Sequence, residues 1–247
     1  MIGSLTVLSD DISHMSVKEH FWYWVFPISL LGLLMFFFFS KIPLLVELVN
    51  PKMNREWGLL ENIQLVIIAV MIGLSIYALR RKKHVLQKWG FGLIAVFAVF
   101  ILLEEIDYAA HFREYLTGSK ESYLDELVGT KNIHNYAPNT AKIFKRSVYV
   151  LMLIIFIVAP LFKTTSKSNI ISYLIPEPKI VITAVLTILV EIIARLLVPL
   201  TDLKLVDLTM DIGEFSEIMV YYLFLIYLIQ LVFNKQWPLN ASLNGDS

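Results

Sequence analysis

The chain has 247 residues, 57% of them hydrophobic and 17% charged, with a mean hydropathy of +0.68 and no net charge. A soluble globule of this length needs more polar surface, so lipid must serve as solvent for much of the chain. A single short basic run gives no footprint for a nucleic acid, and the absence of cysteine excludes disulfides, thiolate metal sites and cysteine nucleophiles.

The N-terminus, MIGSLTVLSDDISHMSVKEH, lacks the basic-then-apolar order of a cleaved signal peptide, so the first span is expected to stay. That span is predicted over residues 21–40, entered through Phe21, Trp22, Tyr23 and Trp24 at headgroup level and bent by Pro27. IPLLVELV is too short to cross and is expected to lie at the interface. Spans follow at 57–79, stopped by Arg80 to Lys83, and at 89–112, where the tail turns acidic in EEIDYAAHFREY. A long polar connection, 113–146, precedes a span at 147–162. The PEP sequence introduces another at 180–200, which Pro199 helps to end, and the last is predicted over 211–233. Each apolar stretch approaches the roughly 20 residues that cross a hydrocarbon layer. The expected fold is therefore all-α: a polytopic integral membrane helical bundle of about six transmembrane helices in one membrane domain, residues 1–247. Arg80, Arg81, Lys82, Lys83 and Lys88 form the densest basic run and place that loop, and with it both termini, in the cytoplasm. Lys142, Lys145 and Arg146 beside the fourth span argue the other way.

With six spans, the entries of spans two and six and the exits of spans three and five share one face. The ionisable residues gather there. Glu61 opens span two; Glu104, Glu105, Asp107 and His111 close span three; His134 follows in the loop. Glu191 and Arg195 sit in the last half of span five, while Asp211, Glu214 and Glu217 open span six. Glu104, Asp107 and His111 fall on one helical stripe, and Glu191 with Arg195 has the spacing of an ion pair. Asp211 reads as an N-cap with Glu214 three residues on, which would need no chemistry. A carboxylate at a span's centre costs about 2.5–3.5 kcal/mol, so a common polar pocket is the expected explanation for the whole set.

EEIDYAAH and NIHN resemble a pattern in uncharacterised bacterial multispan membrane proteins, where an E-E-I-S-W-type block ends one span and N-L-H-N follows. Glu104, Glu105 and Ile106 match it, as do Asn132, His134 and Asn135; Asp107, Tyr108 and His111 stand where the pattern has Ser, Trp and Arg. The resemblance implies a protein of the bacterial inner (cytoplasmic) membrane and carries no established activity.

The first functional expectation is a membrane-embedded enzyme acting on a lipid or polyprenyl-type substrate, with Glu104, Asp107, His134 and Glu217 as ligands or acid–base groups. Arg195 would bind phosphate or developing negative charge. His111, His134 and Asp107 are spaced to hold a divalent metal ion. The alternatives are a cation- or proton-coupled carrier or channel, and a non-catalytic membrane subunit. Membrane lipid is the expected partner, with no nucleic acid. HExxH and G-x-S-x-G signatures do not occur.

Overall fold

A computed structural model describes residues 14–40, 42–49, 51, 58–106, 147–161, 170–200 and 206–235, without the side chains of 39, 194–200 and 206–212. About 88% is helical, and the described residues contain no strand. The chain separates into two compact units, Met1–Leu33 with Leu151–Ser247, and Leu34–Val150.

The first unit begins with α1, which runs through Val17–His20, a π-helical turn at Phe21–Val25, and Phe26–Phe39, where its last residues pass into the second unit. Ser16 caps it, with Glu19 reaching back to the Ser16 backbone in a capping box. Pro27 lies within a continuous helical run. It sits just after a turn of wider pitch. Residue 27 would pair with Tyr23 O in an α-helix and with Trp22 O in a π-helix, and proline has no N–H for either. Both carbonyls are taken by other helices. Thr183 Oγ1 donates to Tyr23 O at 2.6 Å, and Tyr222 Oη donates to Trp22 O at 2.5 Å. The proline thus creates the acceptors that tie the first span to its neighbours.

The other helices of this unit are α5 (Ser147–Leu161, π-helical over Leu153–Val158), α6 (Ile170–Leu174), α7 (Ile180–Leu200) and α8 (Val206–Ile229, followed by a π-helical turn at Gln230–Asn234). The start of α5, up to Val150, belongs to the second unit. Helix α8 forms the centre: 61% of its apolar stretch is buried, and Phe215, Ile218, Met219, Tyr222 and Leu223 are all enclosed. Phe26 packs on Tyr222 with ring centroids 5.6 Å apart, and Phe156 meets Phe224 at 5.2 Å and Tyr227 at 5.3 Å.

The second unit holds the short helix α2 (Pro43–Val49) and the hairpin of α3 (Leu59–Arg81) with α4 (Val85–Glu105). Helix α3 runs through Arg80 and Arg81, whose charges suit its C-terminal dipole, and α4 starts four residues before the expected Trp89. His84 makes that start possible, since its Nδ1 accepts from Leu86 N at 3.3 Å. Ser75 and Ala78 are buried on α3, Ala98 on α4, and a β-carbon on Gly92 would lie 3.8 Å from Leu79 Cδ2, so small residues line the contact. The outer stripe of α4, through Leu93, Val96, Phe97 and Phe100, is exposed and wholly apolar. A helix apolar on both faces is solvated by lipid. Four helices, Val17–Phe38, Leu59–Arg81, Val85–Glu105 and Gly213–Asn234, are long and apolar enough to cross a membrane, and Ser147–Leu161 and Ile180–Ile193 are shorter apolar helices. The protein is an integral membrane protein of all-α class.

Candidate functional site

In the first unit, helices α7 and α8 pack antiparallel, and two hydrogen bonds fix their register. Glu177 N donates to Gln230 Oε1 at 3.1 Å just before α7 begins, and Thr187 Oγ1, whose shorter bond goes to Thr183 O at 2.9 Å, also lies 3.4 Å from Met219 O farther along. Advancing ten residues along the first strand of contacts, from Glu177 to Thr187, moves eleven back along α8. One more turn puts Glu191 level with Phe215, between Glu214 and Glu217. Glu191 also continues the buried stripe of Ile180, Ala184 and Thr187, stepping by four, three and four residues. All three carboxylates are half-buried. On the backbone, Arg195 falls level with Asp211; their side chains lie outside the described residues.

Helix α8 begins at Val206, five residues before the expected start. Asp211 therefore stands inside the helix and is not its N-cap. Glu214 lies a further turn in, beyond reach of the N-terminal dipole, which fades within the first turn. Capping accounts for neither residue.

The second unit assembles its own acidic end. Equal rise along both arms of the α3–α4 hairpin brings Glu61, in the first turn of α3, to the end where α4 closes with Glu104 and Glu105. The three are half-buried. Glu61 is explained by the dipole of α3, which favours a carboxylate at its N-terminus. Glu104 and Glu105 stand at the opposite, negative end of α4, where each carboxylate is disfavoured by roughly 0.3–1 kcal/mol. Helix stability does not call for them. Asp107, His111, Asn132, His134 and Asn135 lie outside the described residues. Among the described residues no three His, Asp or Glu side chains are grouped to hold a metal ion.

A second polar centre, in the first unit, escaped the sequence reading. Lys179 pairs with Glu177 at 2.8 Å and with Glu19 of α1, and lies 5.6 Å from the Tyr23 ring centroid. Burial pulls the Lys179 ammonium down, but the Glu177 and Glu19 carboxylates outweigh it and hold the pKa above the ordinary lysine value. Below it, the fully buried Gln230 donates to Tyr23 Oη at 2.7 Å while accepting from Glu177 N. Tyr173 Oη donates to Leu231 O, and Lys235 Nζ donates to the Tyr173 and Ile175 carbonyls. Tyr222 and Tyr227 also donate across helices, to Trp22 O and Leu174 O. A signal was present. Lys179, Thr183, Thr187, Glu191 and Arg195 recur every fourth residue, a polar stripe along an otherwise apolar span. Thr183 and Thr187 are fully buried.

No family model, curated protein or solved structure matches the chain.

Proposed function

We propose that the protein is a membrane-embedded enzyme acting on a lipid or polyprenyl-type substrate at one headgroup layer, with Glu191, Glu214 and Glu217 supplying acid–base groups. One observation carries this reading: three half-buried carboxylates at one end of an apolar helix pair, two of them on a helix that starts too early for them to serve as caps. Carboxylates in that setting are expensive, and functional use is the default account. Near-headgroup depth suits an amphiphile whose polar end must meet a proton donor or acceptor while its chains remain in lipid. Glu104 and Glu105, placed against the dipole of α4, support the same reading for the second unit. Arg195, and the metal-ligand set Asp107, His111 and His134, join the proposal on sequence grounds.

The test is a lipid profile of cells lacking the protein, complemented with the wild type or with Glu191→Gln, Glu217→Gln or Glu104→Gln, each at matched membrane abundance. The expected result is a lipid species that accumulates on deletion, returns to normal with wild type, and stays elevated with the variants. Complete restoration by all three variants at equal abundance overturns the proposal.

A second reading, a proton- or cation-coupled carrier, is favoured by the stripe of Lys179, Thr183, Thr187 and Glu191 on α7. Liposomes holding the purified protein and an internal pH dye test it. Proton entry abolished by Glu191→Gln supports a carrier, and wild-type flux equal to empty liposomes rules it out.

A further inference from the structure

The closed end of the α3–α4 hairpin concentrates positive charge. Arg80, Arg81, Lys82, Lys83 and Lys88 lie within nine residues, and no Asp or Glu occurs between Glu61 and Glu104. The connection is short and ordered: Lys82 N bonds to Ala78 O at 2.8 Å, and Lys88 N to His84 O at 3.1 Å. Arg80, Arg81, Lys83 and Lys88 are exposed, and Lys82 is half-buried. Tyr77, stacked by the Arg81 guanidinium at 5.7 Å, and the exposed Trp89 mark the headgroup level on each arm. From Glu61 to Arg80 the helix rises about 28 Å, close to the thickness of a hydrocarbon layer. The cations therefore stand among lipid phosphates by geometry, at a separation well inside a Debye length of roughly 8–10 Å.

We propose that this hairpin tip is a binding site for anionic phospholipid headgroups, held by Arg80, Arg81, Lys83 and Lys88. Guanidinium groups chelate phosphate oxygens in a forked geometry, the ammonium groups add charge, and Tyr77 and Trp89 seat the glycerol region. The site is independent of the carboxylates proposed for catalysis. It lies at the other end of the same hairpin from Glu61, Glu104 and Glu105.

The test uses the full chain in bilayers of phosphatidylcholine containing spin-labelled phosphatidylglycerol or spin-labelled phosphatidylcholine, with the motionally restricted fraction giving their relative association. The site predicts a preference for the anionic lipid on the order of tenfold, reduced several-fold in 0.5 M salt. Replacing the four cations together by Gln should bring the ratio close to one, with helix content by circular dichroism and elution volume unchanged. If that variant misfolds, Arg81→Gln with Lys83→Gln serves instead and should lower the preference at least twofold. A ratio near one for the wild type overturns the proposal, as does an unchanged preference in folded variants. Binding of inorganic phosphate that is lost in the variants, without any lipid selectivity, assigns the cations to a soluble anion and overturns it as well.

Discussion

Replacing Pro27 with alanine should make Thr183 expendable. In the wild type, Thr183→Val removes an interhelical hydrogen bond and strands the Tyr23 carbonyl among buried groups. The bond alone is worth about 0.6 kcal/mol in a membrane protein, up to roughly 1.7, and an unsatisfied buried carbonyl costs about 1–3 kcal/mol. The expected loss is about 2 kcal/mol. Pro27→Ala restores an N–H that can satisfy Tyr23 O within the helix, so the same threonine substitution should then cost under about 1 kcal/mol. The coupling between positions 27 and 183 is therefore about 1 kcal/mol, a factor of roughly five in the folded ratio. Reversible unfolding in mixed micelles, with the wild type, the single variants and the double variants in one cycle, measures it. Equal costs for Thr183→Val in both backgrounds, within about 0.3–0.5 kcal/mol, would show that the proline does not generate these contacts.

The Lys179 pair has a defined pH signature. A raised amine pKa stabilises the fold fully below the ordinary lysine value of 10.5 and loses that contribution only as pH climbs through the higher folded value. The difference in Tm between wild type and Lys179→Met should stay constant from pH 7 to 9, and a steady decline across that window contradicts the pairing. Gly92→Ala should fold normally, since its new methyl meets Leu79 at ordinary contact distance, whereas Gly92→Leu should cost about 1–3 kcal/mol by forcing α3 and α4 apart.

Hydropathy made the helices legible because apolar length is a local property, and α3, α7 and the short helix at Pro43–Val49 lie close to where the residues put them. Ends were harder to read. Asp211 has the chemistry of a cap, but a cap is decided by where the backbone turns non-helical, and α8 continues upstream to Val206. Glu191, Glu214 and Glu217 were visible as costly charges, and the register of α7 on α8 gives them a common level that no spacing within one helix reveals. The Glu19–Lys179–Glu177 centre depends on residues 160 positions apart, so single-helix periodicity had no means of pairing them. Pro27 has a further consequence in two carbonyls whose partners belong to other helices, and no spacing within one span shows it.

The charge distribution of the α3–α4 hairpin also bears on how its topology persists. In an energised membrane each elementary charge carried across 100 mV exchanges about 2.3 kcal/mol with the field, on top of the dehydration of the ion. Inverting the hairpin would drag Arg80, Arg81, Lys82 and Lys83 one way through hydrocarbon and Glu61, Glu104 and Glu105 the other. Where the arginines face the negative side of the potential, both movements oppose it. Insertion is thus a one-time decision for this segment: the leaflet that first receives the arginines keeps them for the lifetime of the protein.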